Sequence, residues 1–196
     1  GPPGSGATFT SIDHAIDSVP EDGTIILQPG TYDTQLRLDR NITVTAPDGA
    51  TFDGADIDEI VTTGVIISDD ASPTITGVTV QNYDWGVSAS NTSGDWVLRN
   101  TTIRNNNFGV KAARSTGTWR IVDSTIRGHS NEGVYARETT GDWRIEGTQI
   151  HDTADAGVDA TRSGSDWIVE STDIQDSLGP AIEARQSDGA WLVRSS

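Results

Sequence analysis

Three sets of residues in this chain have types and spacings that can do chemistry. Arg104, Arg127 and His151 recur at intervals of 23 and 24 residues, with Asp152 and Asp176 close behind. If side chains alternate in and out there, these three share one outward column with Gln81 and Gln175, a basic row suited to an anionic glycan. A second outward column holds Ser88, Lys111, Tyr135, Asp159 and Glu183, and Tyr135 counts with the basic row as a ligand contact. A third holds Thr76, Arg99, Glu146 and Glu170. The pairs Asp159/Glu183 and Glu146/Glu170 would stand about 5 Å apart, the separation at which two carboxylates cleave a glycosidic bond with retention. Nothing in their sequence context desolvates one of them, as a general acid requires. The last set is Asp53, Asp56 and Asp58, hard oxygen donors that suit Ca²⁺ without the spacing of an EF-hand loop; no other cofactor is expected. Sequons at Asn41, Asn91 and Asn100 are candidate N-glycosylation sites.

What must position these residues is an internal repeat. Trp96, Trp119, Trp143, Trp167 and Trp191 are spaced 23, 24, 24 and 24 apart. The same period carries Leu98, Ile121, Ile145, Val169 and Val193, then the hydroxyls Thr101, Ser124, Thr148 and Thr172, then Ile103, Ile126, Ile150 and Ile174. Val110, Val134 and Val158 follow, with Ala112, Ala136, Ala160 and Ala184. Within a unit the apolar positions alternate, which means strands. Three short strands broken by Gly, Asn, Asp and Ser make one coil of a solenoid. Stacked coils lie about 4.8 Å apart, so equivalent residues form ladders. The expected fold is all-β: a single-stranded parallel β-helix of about seven coils. Trp143 shares the parity of Ile145, so the tryptophans should form an internal ladder rather than an exposed row on which sugars stack.

The rest of the chain divides around this repeat. Residues 1–6 read as linker or remnant. Residues 7–20 carry Phe9, Ile12, Ile16 and Val19 on one helical face, with Thr10 or Ser11 as N-cap and Pro20 as stop. This helix should cap the open edge of the first coil. Residues 21–72 form irregular first coils, with a longer excursion over 46–72, and residues 73–196 form regular ones. The other end has no cap, which points to further chain or a packed partner beyond Ser196.

Composition bounds the partners. The chain has 29 acids, 13 bases and a net charge of −16, with Lys111 its single lysine. Self-repulsion of that size is relieved at high salt, and such a composition resembles proteins of extreme halophiles. With no basic stripe, nucleic acid is an unsuitable partner, and no apolar run is long enough to insert in a membrane. There are no cysteines, so disulfides and thiolate metal sites do not enter.

The helix, "DGTIILQPGTY" and "ITVTAPDGATFDG" resemble the opening of pectin-lyase-like proteins, and units such as "TTIRNNNFGVKA" resemble repeats of carbohydrate-binding and sugar-cleaving members. The resemblance implies right-handedness. It also implies a possible chemistry, in which Arg104, Arg127 or His151 is the base of a uronate elimination and Asp152 and Asp176 hold Ca²⁺. Active clefts of that superfamily are walled by long loops, whereas four successive coils here keep 23–24 residues. The expected role is therefore a non-catalytic module of an extracellular, cell-surface or virion assembly, serving as rigid spacer or glycan-binding surface. Its partners would be glycans or neighbouring domains of the same chain. The alternatives are a polysaccharide lyase or glycoside hydrolase, and a segment of a homotrimeric fibre or tailspike.

Overall fold

The computed structural model describes residues 7–57 and 62–194. After helix α1 (Ile12–Ser18), the chain winds through seven coils of parallel strands. The first coil is β1 (Thr24–Ile26), β2 (Thr31–Tyr32) and β3 (Leu36–Leu38). In the next two coils the first two strands fuse, giving β4 (Thr43–Asp53) with β5 (Thr63–Ile67), then β6 (Thr74–Gln81) with β7 (Trp85–Ser88). The regular coils are β8 (Trp96–Arg99), β9 (Thr102–Arg104) and β10 (Phe108–Lys111); β11 (Trp119–Val122), β12 (Thr125–His129) and β13 (Val134–Tyr135); and β14 (Trp143–Glu146), β15 (Gln149–Thr153) and β16 (Val158–Asp159). The seventh is β17 (Trp167–Glu170), β18 (Asp173–Gln175) and β19 (Ile182–Glu183), after which β20 (Trp191–Arg194) opens an eighth.

Each coil contributes to three faces, with the fused strands β4 and β6 spanning the first two. The first face runs from β1 through β4, β6 and β8 to β20, the second from β2 to β18, and the third from β3 to β19. The tryptophans pair in register from Trp96 to Trp191. Trp96 and Trp119 are fully buried and their rings stack at 5.0 Å and 3°. Burying such a ring removes about 200 Å² from water, an upper bound of roughly 5 kcal/mol apiece. Trp191 has the same parity but is 58% exposed, because among the described residues no strand lies on its open side.

The corners follow one local rule. In the regular coils each is turned by a single residue with positive φ, and the next residue points inward with a polar side chain. Between first and second faces the turning residues are Asn100, Asp123, Gly147 and Ser171, each followed by Thr101, Ser124, Thr148 or Thr172. A turn leaves carbonyls without a ladder partner, and the hydroxyls supply one: Ser124 Oγ donates to the Val122 carbonyl at 2.8 Å and Thr148 Oγ1 to that of Glu146 at 3.0 Å. The corner between third and first faces repeats the device with Arg114, Glu138 and Arg162 turning and Ser115, Thr139 and Ser163 buried behind them.

Helix α1 is shorter than the 7–20 segment suggested. Ser11 holds the N-cap position without a side-chain cap bond. Ala15 and Ile16 are buried, and the helix packs against β3 at the end of the stack.

Candidate functional site

The second face carries the basic row. Ile103, Ile126 and Ile150 are completely buried, so alternation turns the next residue of each strand outward. Register places Arg104 opposite Arg127 and Arg127 opposite His151, one nitrogen-bearing side chain per coil at about 4.8 Å. Thr102, Thr125 and Gln149 form a hydrophilic column beside them. Arg104 is held in place: its Nε donates to Gln81 Oε1 at 2.7 Å, and Gln81 Nε2 donates to Asp53 Oδ2 at 2.6 Å. Arg127 has no side-chain hydrogen bond or ion pair among the described residues. His151 Nδ1 lies 2.7 Å from Asp152 Oδ2, and Asp176 stands exposed at the following corner. Arg104, Arg127, His151 and Asp152 are thus brought together. Tyr135 is not with them, because β13 belongs to the third face.

Of the acidic trio, Asp53 is committed to other partners. Asp53 accepts from Ala55 N at 3.0 Å and from Asn82 Nδ2 at 2.7 Å in addition to Gln81. Burial alone would raise its pKa, but these donors and the Arg104 charge outweigh that and hold the carboxyl below its ordinary value. Asp56 is exposed, and Asp58 lies outside the described residues. Among the described residues no three carboxylates or imidazoles converge closely enough to hold a metal ion. Of the sequon asparagines, Asn41 is half-buried and accepts the Ser72 N–H at 2.7 Å. Asn91 and Asn100 sit exposed at positive-φ corners.

The third face departs from the parity reading. Asp159, expected in water, has a fully buried side chain beneath Arg137, whose Nε donates to it. Thr161 N donates to its other oxygen at 2.9 Å. Glu170, on the first face, is similarly enclosed between Arg144 and Arg194. The cause is the long arginines, which fold over the carboxylates and remove them from solvent. Beside Asp159 lies Glu132, only 5% exposed. Burial raises its pKa, and Asp155 and Asp159 add repulsion that Arg137, 3.7 Å away, offsets only in part. The sequence gives Glu132 no prominence, because its column runs Trp85, Phe108, Glu132, Ala156, Pro180 without a recurring type. The one available signal is a carboxylate in an otherwise apolar column. Around this pair, Trp85 and Phe108 stack at 4.0 Å, the Lys111 ammonium lies 3.9 Å over Trp85, and Arg137 covers Tyr135 at 4.9 Å.

Fold and faces together define a parallel β-helix. The chain belongs to the family described as the right-handed β-helix region, whose model matches residues 40–196. Among solved structures it is similar to the crystal structure of a pectate lyase, with a TM-score of 0.68 and 20% identity over 83% of this chain. It spans 47% of that enzyme's chain, and at such identity the likeness is one of fold. No curated protein matches the sequence.

Proposed function

We propose that the chain is a rigid, non-catalytic module that binds anionic glycans along Arg104, Arg127 and His151. One observation carries this reading. Eight of the twelve arginines are engaged by carboxylates within 4.0 Å, as expected where acids outnumber bases so heavily. Arg104 and Arg127 are two of the remaining four, and they stand on adjacent coils of one flat face. Arg104 reaches the Asp53 carboxylate only through Gln81, Arg127 has no ion pair among the described residues, and the two neighbouring guanidinium groups repel each other. A row of carboxylate or sulfate groups supplied by a polymer relieves that repulsion, with bidentate geometry available to each fork. The near-constant length of the regular coils supports binding over cleavage, since residues 73–194 carry no long loop beside the row. The setting that suits such a module is extracellular, at a cell or virion surface, in high salt.

The test is incubation with acidic and neutral polysaccharides, with and without Ca²⁺, followed by size-exclusion chromatography. Co-elution with intact acidic polymer is expected, and the Arg104→Ala/Arg127→Ala/His151→Ala variant should lose it. Equal retention by that variant overturns the assignment of the face. Shortened polymer overturns the non-catalytic reading in favour of a lyase or hydrolase. A trimeric mass by light scattering without co-elution would instead support a fibre segment.

A further inference from the structure

The third face gathers three rings that the basic row does not use. Trp85, Phe108 and Tyr135 stand half-buried on three successive middle coils, with β5 below them and β16 above. Trp85 and Phe108 stack at 4.0 Å and 11°. Tyr135 meets both edge-on, at 6.5 Å and 69° from Trp85 and at 6.3 Å and 78° from Phe108. Two stacked rings with a third across them make an aromatic corner, and ring faces attract cations through their quadrupoles. A cation already sits there: the Lys111 ammonium lies 3.9 Å from the centre of the Trp85 ring.

Two cations touch these rings, and they are held differently. Arg137 covers Tyr135 at 4.9 Å, and its charge is met by the buried Asp159 carboxylate and by Glu132 at 3.7 Å. Lys111 has no ion pair among the described residues, although acids outnumber bases 29 to 13. Its register partner on the coil below is Ser88, which brings no charge. The rings are what hold it, so its seat is open to exchange. A primary ammonium keeps three strongly hydrated N–H donors, and seating it on an indole sacrifices part of that hydration. A quaternary ammonium has no N–H to leave unpaired, and its methyl groups pack on the rings. The same seat therefore suits it better.

We propose that Trp85, Phe108 and Tyr135 form a cage for a trimethylammonium zwitterion of betaine type, with Lys111 as the tethered occupant that the ligand displaces. The ligand's ammonium takes the seat on Trp85. The freed Lys111 ammonium turns to the ligand's carboxylate and gains the ion pair it otherwise lacks. The exchange replaces one cation by another on the rings and adds one contact of opposite charge, so it selects a zwitterion over a simple cation. The cage lies on a different face from Arg104 and Arg127, and it stands whether or not that face binds anionic glycans.

The probe is glycine betaine, with tetramethylammonium and glycine as comparisons, titrated while NMR follows the indole N–H signals. There are six tryptophans, and the signal missing from Trp85→Leu is that of Trp85. Glycine betaine should shift that signal saturably, with a Kd on the order of 1–10 mM, and glycine should leave it in place. Tetramethylammonium should bind severalfold more weakly than betaine. Lys111→Ser copies Ser88 on the coil below and empties the seat. Tetramethylammonium should then bind severalfold more tightly than to the parent, and betaine should lose its advantage over it. A saturable shift at Trp85 in neither protein, or one shared equally by the buried Trp119, overturns the cage. Equal tetramethylammonium affinities for parent and Lys111→Ser overturn the displacement of Lys111. A betaine preference that survives Lys111→Ser overturns the ion pair.

Discussion

His129 is a titratable side chain placed where ionisation is costly. It follows the positive-φ residue Gly128 and points inward, 2% exposed. Its Nδ1 lies 3.3 Å from the Asn106 N–H, and its Nε2 is buried without a partner. Burial pushes its pKa down from 6.5 to about 4, against smaller opposing effects from the Asn106 and Ile103 backbone. Between those values the unfolded chain binds a proton that the folded chain refuses. Stability is therefore full above pH 6.5, falls as pH drops, and reaches its lower plateau near pH 4. The loss is on the order of 3 kcal/mol. Glu132, with its raised pKa, works in the opposite direction, so the measurement is a difference. Urea midpoints at several pH values should show a shallower acid slope for His129→Asn, which copies Asn106 one coil below, than for the parent. Parallel slopes would remove His129 from the account. Arg137 gives a second prediction at this scale. Arg137→Met strands the buried Asp159 carboxylate and should cost about 3–5 kcal/mol. Arg162→Met breaks only an exposed pair with Glu138 and should leave the midpoint close to the parent's. Equal midpoints for the two would show that Asp159 is not held as described.

Between coils, a thread of side-chain acceptors runs along the corner that precedes the first face. Glu21 accepts the Asn41 N–H, Asn41 that of Ser72, Ser72 that of Asp95, and Asp95 that of Thr118. Further up, Asp142 accepts from Asp166 N at 3.1 Å and Asp166 from Ala190 N at 2.8 Å. The aspartates before Trp96, Trp143 and Trp167 are therefore coil-to-coil clamps as well as part of the acidic surplus. Asp166→Ala should lower stability by about 1 kcal/mol, a melting shift of roughly 2–4 °C, with Asp166→Asn closer to the parent because it keeps an acceptor. An unshifted midpoint for the alanine variant would mean that water replaces the clamp without loss. This thread was hidden in the sequence because its residue types change from coil to coil while their acceptor function does not. The ladders of Trp, Ile and Val were legible because one residue type fits one interior slot. The Thr101 column was legible for the same reason, whereas its counterpart at Ser115, Thr139 and Ser163 does not stand out among abundant serines and threonines. The basic row followed from parity alone. The burial of Asp159 and Glu132 could not, because it depends on which way Arg137 and its neighbours fold across the face.

For the molecule as a whole, the balance between repulsion and pairing decides how it responds to salt. The ion pairs that bridge coils on the surface, such as Arg114–Glu138–Arg162, lose strength as salt screens them. The acids they leave unpaired are far more numerous, since 29 carboxylates face 13 bases, and their mutual repulsion is screened by the same ions. Repulsion is the larger sum, so screening should stabilise. Because the stack is long and its charges are spread over every coil, the gain should come at moderate ionic strength and level off once the Debye length falls to about 3 Å near 1 M salt. The expected result is a melting temperature that climbs steeply up to about 1 M KCl and then flattens. Sucrose, which strengthens burial without screening charge, should give no such steep early rise. A variant with four unpaired surface aspartates, Asp56, Asp70, Asp176 and Asp188, changed to asparagine should start higher at low salt and gain less from it. Two melting curves that rise in parallel would assign the salt effect to the strengthening of apolar burial and not to charge, and the acidic surface would then need another explanation.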